Sequence, residues 1–349
     1  MNESNPLVSV CIPIYNVEKY VERCLTSVFA QDYTNIELLL YYDQSDDGTL
    51  EKTKNVIKKG RFAARIIEKE YSEKGQGLSR NMAIIDAKGT FLYFLDSDDY
   101  IEPNAISTLV RHAVRFDADL VVGSHDIHYE DDTRTVSVEH EDKTFFDNEE
   151  FMSYVYASNS YYSQYAWNKL YRTSFLRENN IRCIHKIVED YIFSFEVVRH
   201  AVRVVLVKDV LLHYLVRSSS TTNLNMAKKV TKETADIYLS IRDYVLHVLD
   251  AAKESPVTEN IKMEVLYFSF VMTVRNSLNS SEISKEGKRV LCDEISRFPN
   301  LPACYKNSLL EKRKSYRTLF VILSRIPFRL RRRIIFMISK MVELKNIKK

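Results

Sequence analysis

Cysteines and long apolar runs are scarce in this chain, and their scarcity argues against two classes of protein. No run approaches the 18 apolar residues that a membrane-spanning helix requires, so we predict no such helix. Only five of the 349 residues are cysteines, and no two of them have the spacing of metal ligands. We interpret them as reduced, mostly structural side chains in a reducing compartment, not as a disulfide framework. They are Cys11, Cys24, Cys183, Cys292 and Cys304.

The first ten residues, MNESNPLVSV, lack the basic and apolar stretches of a signal peptide, so we expect a cytoplasmic protein. An apolar content of 45% and a charged content of 28% are typical of globular proteins. The formal net charge of +3 is unevenly distributed along the chain. Residues 312–349 carry 13 Lys or Arg and one acid, so this tail contributes +12 and the remainder has a charge of −9.

Strand-like and helical segments alternate in the first hundred residues. Continuous apolar runs predict buried strands at 7–15, 36–42 and 91–95, and the segment ARIIE predicts a shorter one. Helical spacing lies between them, which predicts an α/β fold with a mostly parallel sheet. Ligands bind beyond the carboxyl ends of the strands in such sheets, where Asp43 and Asp96 lie.

The pattern becomes mixed from about residue 117 and purely helical from about residue 226. The polar stretch RSSSTTNLN (217–225) is typical of a loop between domains. We therefore predict a first domain at 1–222 and a helical region at 223–349, with a basic amphipathic tail at about 315–349.

Three carboxylates follow the predicted strand FLYFL, at Asp96, Asp98 and Asp99. Their mutual repulsion is relieved by a divalent cation, which prefers oxygen ligands and leaves positions open for a diphosphate. A solvated acidic loop is the simplest alternative, with Asp99 capping the helix that follows. The Asp-x-Asp pattern also resembles the nucleophile strand of haloacid-dehalogenase-type phosphatases. That family places this strand first, whereas here it is about the fourth.

Several motifs occur in a fixed order along the chain. They are VSVCIPIYN, DQSDDGT, GQGLSRNMAIIDAKG, FLYFLDSDD, WNKLY, VED and HYLVRSSS. In order and spacing they resemble the bacterial family 2 glycosyltransferases, which have the GT-A fold, over about residues 6–222. The resemblance implies transfer of a sugar from a nucleotide diphosphate donor with inversion at the anomeric carbon.

The resemblance also implies a donor site. The main chain around Pro13 and Tyr15 lines the nucleotide pocket, and Asp43 accepts a hydrogen bond from the base, most often uracil. Asp96 contacts the ribose. Two positions at the end of the second strand depart from the family pattern, because Tyr42 replaces the first of two acids and Gln44 replaces a glycine. Leu78, two residues before Arg80, and Glu73, in place of a frequent asparagine, also depart from it.

The same resemblance assigns the residues nearest the chemistry. Asp98 is the direct ligand of the metal ion, either Mn²⁺ or Mg²⁺, and Asp190 is the general base that deprotonates the acceptor hydroxyl. Arg217 and Ser220 lie in the loop that covers the diphosphate. Glu189 binds the acceptor or shapes the loop, and adjacent helical residues point about 100° apart, so only one acid of this pair is expected to face the sugar.

Two further residues have alternative interpretations. Arg80 follows the glycine-flanked turn GQG, where it either contributes to the donor pocket or pairs with a nearby acid. His213 is a candidate ligand for the metal or a phosphate, and a lone histidine in a strand is otherwise structural.

An aromatic segment occupies residues 154–171. Aromatic faces suit the C–H faces of sugars, and tyrosine hydroxyls can bond to sugar hydroxyls. We expect Trp167 and Tyr171 in the core, and Tyr161, Tyr162 or Tyr165 toward the acceptor.

The tail alternates apolar and basic clusters, and Pro327 should divide it into two helices. Such a helix either lies on the anionic inner face of the cell membrane or packs on the body with its basic side outward. The interleaved Ile, Phe, Met and Leu argue against nucleic-acid binding.

These observations lead to one principal hypothesis: a metal-dependent, inverting glycosyltransferase that uses a nucleotide sugar, with UDP-sugar favoured. Its acceptor would be a glycan or a lipid-linked saccharide in surface polysaccharide or teichoic acid synthesis. A catalytically weak paralogue that assembles with partners is the second hypothesis. The helical segment 226–310 is a candidate interface for a homo-oligomer or a platform for the acceptor.

Overall fold

The computed structural model describes most of the chain. The described residues are 5–68, 75–131, 134–156, 162–184, 188–217, 231–252, 254–273, 283–296, 330, 331, 333–335 and 337. The chain forms two compact units, the first built by Met1–Val155 and Tyr161–Arg217 and the second by the remaining residues. Residues 218–222 of the predicted first domain lie outside the described part, as does Cys304.

The first unit begins with strands and helices in strict alternation, as the sequence predicts. Its strands β1 and β2 are buried on both faces, because nearly all their side chains are apolar. These elements are β1 (Val8–Ile14), α1 (Val21–Phe29), β2 (Ile36–Tyr42), α2 (Thr49–Ile57), β3 (Ala63–Glu68), α3 (Gln76–Asp86) and β4 (Phe91–Phe94).

The second half of this unit has shorter and more varied elements. They are β5 (Tyr100–Ile101), α4 (Ala105–Arg115), β6 (Leu120–Tyr129), β7 (Thr135–Val138), β8 (Lys143–Phe145), α5 (Asn148–Val155), β9 (Lys169–Arg172), α6 (Thr173–Glu178), α7 (Glu189–His200) and β10 (Val204–Val216). The apolar residues near 119–122 predict a short strand, and β6 extends beyond it to Tyr129 through a largely polar second half that no apolar run marks.

All ten strands of the described part join one sheet. Its order is β3-β2-β1-β4-β9-β6-β10-β5, with β7 paired to β6 and β8 paired to β10. The prediction of a mostly parallel sheet holds for β3, β2, β1 and β4. The other half is mixed, because β9 runs antiparallel to both of its neighbours, and β5, β7 and β8 are also antiparallel additions. β7 is short and largely exposed, so no buried apolar run marks it in the sequence.

The described part of the second unit is helical. Its helices are α8 (Lys232–Asp250), α9 (Pro256–Met272) and α10 (Lys285–Ser296). A capping box starts α9, since Ser255 and Thr258 exchange side-chain and backbone hydrogen bonds. Ile335 of the tail is buried among apolar side chains of these helices, while Leu330 and Met337 are about half exposed. None of the described helices combines the length and apolar character needed to cross a bilayer.

Candidate active site

Three adjacent parallel strands end at the same edge of the sheet, and predicted site residues follow each of them. Tyr15 follows β1, Asp43 follows β2, and Asp96 lies two residues beyond β4. Pro13 lies within β1, opposite Tyr41 of β2. The sequence prediction that polar residues gather beyond these strands therefore agrees with the sheet topology.

Asp43 is largely buried and bonds to the start of α3. Its Oδ2 accepts a hydrogen bond of 3.0 Å from the backbone N–H of Gly75, which has a φ of +124° that favours glycine. The departure at Tyr42 has a structural role, because the Tyr42 hydroxyl accepts a hydrogen bond of 3.0 Å from the backbone N–H of Ser45. Tyr15 is 45% exposed, so its ring is accessible beyond the end of β1.

Arg80 is the centre of a buried network of ion pairs. Its Nη2 lies 2.9 Å from Oδ1 of Asp96, which comes from the end of β4. Its Nη1 lies 2.6 Å from Oδ1 of Asp190 and 3.1 Å from Oε1 of Glu189, both at the start of α7. Of the two interpretations of Arg80, pairing with nearby acids is the one described by these contacts. A role in binding the donor stays a prediction.

The close approach of α3 to α7 depends on a glycine. Gly77 precedes Arg80 by about one helical turn, and a Cβ at Gly77 would lie 3.0 Å from Cβ of Glu189 and 3.1 Å from Cβ of Cys183. The absence of a side chain at Gly77 therefore brings the start of α7 within reach of the Arg80 guanidinium.

The network shifts the ionisation of its members. Burial raises the pKa of Asp96 and of Asp190 to about 6 each, and the attraction of Arg80 opposes that rise. Burial alone would lower the pKa of Arg80, but the surrounding carboxylates outweigh it and hold that pKa well above its ordinary value. Arg80 therefore remains charged, and a pKa of about 6 for Asp190 suits its predicted role as the general base.

Helix α7 begins in an unusual conformation. Val188 has a φ of +56°, a left-handed conformation that is strained for a β-branched residue. Both Glu189 and Asp190 reach the same nitrogen of Arg80, although their positions on an ideal helix differ by about 100°. Both acids contact Arg80, and these contacts do not determine which of them faces the acceptor. The assignment of Asp190 to the acceptor stays a prediction.

Asp98 has two arginine partners of its own. Nε of Arg217 lies 2.6 Å from Oδ2 of Asp98, and Arg23 donates a hydrogen bond of 3.0 Å to the backbone carbonyl of Asp98. The guanidinium of Arg217 also lies over the ring of Tyr20, 5.1 Å from its centroid. Arginines therefore supply the positive charge opposite Asp96 and Asp98. Ser220 lies outside the described residues.

The structure corrects the expectation that Asp99 caps the next helix. Asp99 is fully buried, and its Oδ1 accepts a hydrogen bond of 2.8 Å from the backbone N–H of Leu215 in β10. The residue that precedes α4 is Asn104, whose side chain makes no capping bond. Burial raises the pKa of Asp99 well above its ordinary range, and the charges of Asp98 and Asp96 add to this rise.

His213, a predicted ligand of the metal or a phosphate, contacts a histidine and a glutamate. Its Nδ1 is 3.0 Å from Nε2 of His128, and its Nε2 is 2.6 Å from Oε1 of Glu102. Asp126 completes the group of potential ligands around it, of which Asp98 is not a member. A role for His213 as a ligand of the donor metal or a phosphate stays a prediction, and its contacts with His128 and Asp126 offer an alternative.

The aromatic segment combines core and exposed rings. Trp167 and Tyr171 are buried, in agreement with the prediction, and Tyr162 is also nearly buried. Tyr165 is 44% exposed and stacks on Trp167, with ring centroids 4.8 Å apart. Tyr165 is thus the described candidate for the acceptor side, and Tyr161 lies outside the described residues.

Lys169 was not singled out in the sequence, yet it lies close to this segment. Its Nζ donates a hydrogen bond of 2.7 Å to the carbonyl of Tyr165, and its side chain is buried. Burial lowers the pKa of Lys169 to about 7, against the attraction of Asp190. The only sequence signal for it was its place in the motif WNKLY.

The residues at the end of β4 fit the divalent ion that the resemblance implies. Asp96 and Asp98 offer hard carboxylate oxygens two residues apart, as Mg²⁺ and Mn²⁺ prefer. Their side chains remain 13% and 14% exposed, whereas Asp99 is buried and bonded to β10. Oδ2 of Asp98 accepts a hydrogen bond from Arg217, so an ion that binds this oxygen would displace the guanidinium.

Comparison with known proteins identifies the family. Residues 9–192, more than half of the chain, match the model of glycosyl transferase family 2. EpsH of Bacillus subtilis (strain 168) is 32% identical over 222 residues, and the match covers 62% of this chain and 62% of EpsH. The chain thus spans less than two thirds of that relative.

Two Staphylococcus aureus proteins are also similar. TarP (strain N315), a poly(ribitol-phosphate) beta-N-acetylglucosaminyltransferase, is 24% identical over 257 residues, covering 72% of this chain and 74% of TarP. The crystal structure of TarS 1–349 in complex with UDP-GlcNAc has a TM-score of 0.66 at 23% identity, covering 83% of this chain and 80% of that chain. The predicted GT-A fold is confirmed, and the chain belongs to glycosyltransferase family 2.

Proposed function

We propose that this protein is an inverting glycosyltransferase that moves a sugar from a UDP-sugar to a glycan or lipid-linked acceptor. The observation that carries the proposal is the position of Arg80 between two functional segments. One guanidinium contacts Asp96, at the carboxyl end of β4, and Asp190, at the start of α7. The predicted donor side and the predicted general base are thereby held in one network.

The chemistry assigned to these residues is a single displacement. Asp190 takes the proton from the acceptor hydroxyl as that oxygen attacks the anomeric carbon from the side opposite the diphosphate. The bond from the anomeric carbon to the diphosphate oxygen breaks, and its electron pair leaves with the nucleotide. Arg80 and the backbone N–H of Ala166 orient the carboxylate of Asp190 and keep it ionised at neutral pH.

The donor side follows from the carboxyl ends of the strands. The main chain around Pro13 and Tyr15 and the carboxylate of Asp43 hold the nucleotide base, while Asp96 contacts the ribose. Asp98 would hold a divalent ion, which would supply charge stabilisation to the diphosphate. Arg217, and Ser220 from the covering loop, complete the diphosphate contacts. Positive charges that stabilise a leaving group in the transition state typically increase the rate more than charges that stabilise only the bound substrate.

The relatives support UDP-linked chemistry in cell-surface glycan synthesis. TarS binds UDP-GlcNAc, and TarP is named for transfer of N-acetylglucosamine to poly(ribitol phosphate). We therefore expect a UDP-sugar donor and an acceptor in polysaccharide or teichoic acid synthesis. The phosphatase alternative loses its basis, because the strand before Asp96 belongs to a glycosyltransferase family match.

A panel of nucleotide sugars tests this function. One UDP-sugar should raise the melting temperature and be slowly hydrolysed, and Asp190→Asn should slow the hydrolysis by about 10²–10⁴ while leaving the thermal shift in place. Asp209→Asn makes the same change at an exposed acid that is not among the candidate site residues, so it serves as the matched control. If calorimetry detects neither nucleotide-sugar nor divalent-ion binding, the non-catalytic paralogue becomes the better hypothesis.

The tail is proposed to bind the inner face of the cell membrane. Leu330, Arg333 and Met337 are exposed on one side of the helical stretch, while Arg331 and Ile335 are buried on the other. An exposed side that mixes apolar and basic residues suits an anionic lipid interface. A chain that ends near Lys314 should lose binding to vesicles with anionic lipid. If it sediments with them as the full chain does, the tail is not the anchor.

A further inference from the structure

Three potential metal ligands meet on one face of the sheet, apart from the carboxylates assigned to the donor site. Asp126 and His128 lie two residues apart on β6, so strand geometry places both on the same face. His213 lies beside Asp126 on the parallel neighbour β10. Their ligand atoms all lie within 4.8 Å of one another.

The distances suit a shared ion. Zinc–nitrogen bonds are about 2.0–2.1 Å long, so two imidazole nitrogens at 90–110° around one ion are roughly 2.9–3.4 Å apart. Nε2 of His128 and Nδ1 of His213 are 3.0 Å apart. Oδ2 of Asp126 is 4.0 Å from Nδ1 of His213, which requires only a small rotation of the carboxylate.

The outer nitrogens of both imidazoles already have partners. Nε2 of His213 lies 2.6 Å from Oε1 of Glu102, and Nδ1 of His128 lies 3.2 Å from Oγ1 of Thr135. The ring of Tyr100 stacks on His213, with centroids 4.4 Å apart. Metal-binding histidines are typically oriented in this way, with the second N–H on a carboxylate or another oxygen.

We propose that Asp126, His128 and His213 form a second metal site, distinct from Asp98, that binds a divalent ion of the zinc class. Two imidazoles and one carboxylate favour such ions over Mg²⁺ or Ca²⁺, which prefer oxygen ligands. The bound ion ties β6 to β10 and, through Glu102, to the segment that follows β5. Because that segment follows Asp98 and Asp99, and β10 leads to Arg217, the ion stabilises both sides of the donor site.

Cobalt titration of the metal-stripped full chain tests the site with a readout independent of activity. Co²⁺ bound by imidazoles in a low-coordinate site absorbs visible light strongly, whereas cobalt with six oxygen ligands absorbs weakly. We expect one strongly absorbing Co²⁺ per chain, displaced by Zn²⁺. Asp126→Asn and His128→Gln should each weaken it at least tenfold, and Glu102→Gln about ten- to hundredfold.

Two controls separate this site from others. His247→Gln removes an exposed histidine of α8, and Asp98→Asn removes the predicted ligand of the donor metal; neither should change the cobalt spectrum. Circular dichroism checks that each variant is folded, and the near-isosteric Asp126→Asn provides the test if a histidine variant misfolds. The proposal is overturned if no saturable strong absorption develops, if Asp126→Asn leaves it unchanged, or if only Asp98→Asn removes it. The contact of His128 with His213 is then a hydrogen bond alone.

Discussion

Nε of Arg217 lies 2.6 Å from Oδ2 of Asp98, so the protein provides its own cation for the second acid of its Asp-x-Asp motif. The two residues are 119 positions apart in the chain, and the side chains of both are mostly buried. A divalent ion at Asp98 would compete with this guanidinium for Oδ2, and a displaced Arg217 would be available to the diphosphate of the proposed donor.

This exchange makes a prediction with two opposite effects. In Arg217→Gln, Asp98 loses a competing cation, so Mn²⁺ should bind the donor-free protein about tenfold more tightly, the equivalent of about 1.4 kcal/mol. The transfer rate should nevertheless fall by about 10²–10³, because the variant lacks the positive charge of Arg217 that would stabilise the leaving diphosphate. Calorimetry and steady-state kinetics measure the two effects.

The exposed pair of Arg203 with Asp117 provides a control for Arg217. Arg203→Gln removes one arginine from the first unit without touching the candidate site, so both measurements should match the unaltered protein. Weaker or unchanged Mn²⁺ binding in Arg217→Gln would contradict competition between the guanidinium and the ion.

Asp190→Asn should lower the transfer rate by about 10²–10⁴, the usual contribution of general base catalysis, with little change in donor affinity. In the unaltered protein, transfer should increase as the pH rises through about 6, because Asp190 has a pKa of about 6 and the proposed base would act in its ionised form. A rate that is independent of pH between 5 and 8 would contradict the assignment of the base.

Arg80 and Glu189 should move this pH dependence in opposite directions. Arg80 lowers the pKa of Asp190 and Glu189 raises it. Arg80→Lys, which loses the fork that reaches several acids, should move the rise in activity to higher pH, and Glu189→Gln should move it to lower pH. A purely structural role for either residue would change the rate without moving the profile.

The same network predicts a stability effect. A lysine at position 80 cannot satisfy carboxylates on both sides, so Arg80→Lys should reduce the free energy of unfolding by about 1–3 kcal/mol. Urea denaturation at neutral pH measures this change. Stability equal to that of the unaltered protein would mean that the three carboxylates find other partners.

Asp99→Asn should stabilise the protein at neutral and alkaline pH. Burial raises the pKa of Asp99 well above its ordinary value, so between the two pKa values the folded state binds more protons than the unfolded state. Stability from this group therefore falls as the pH rises, by about 1.4 kcal/mol for each unit of pKa elevation. Asparagine keeps an acceptor for Leu215 without the charge.

Comparison of urea melts at pH 4 and pH 8 checks this sign. The advantage of Asp99→Asn should be present at pH 8 and nearly absent at pH 4. Asp99→Ala is the contrasting variant, because it leaves the N–H of Leu215 without its acceptor and should be destabilising at both values. A greater advantage at pH 4 than at pH 8 would show that Asp99 is held as an anion.

Tyr165 should contribute to acceptor binding. Its half-exposed ring is supported from behind by Trp167, and its backbone carbonyl is fixed by Lys169. Tyr165→Ala should raise the KM for the acceptor up to about tenfold, the scale of an aromatic contact, and leave the KM for the donor unchanged. Tyr165→Phe separates the ring from its hydroxyl. If Tyr165→Ala changed only the KM for the donor, the assignment of the ring to the acceptor would be wrong.

The sequence was most informative where one local pattern determines a position. Continuous apolar runs identified the parallel strands, and the residues beyond their ends, Asp43 and Asp96, lie at one edge of the sheet as predicted. The buried positions of Trp167 and Tyr171 were also predictable. These features depend on residue types within a short window, which the periodicity of a strand or helix reveals.

The partners of these residues were not predictable in the same way. The bond from Asp99 to Leu215 and the pair of Asp98 with Arg217 join segments more than 110 residues apart, and no local pattern encodes them. The polar half of β6 was missed because half-exposed residues replace the apolar run there. The alternation of Asp126 and His128 was the one available signal for their shared face.

The contact between Gly77 and Glu189 has a further consequence. A methyl group at Gly77 would act as a wedge between α3 and α7 and move the carboxylates at the start of α7 away from Arg80, without removing any charge. Because Arg80 lowers the pKa of Asp190, widening the gap between the two helices would raise that pKa. The size of a side chain at a position without a functional group would thus alter the ionisation of the proposed base.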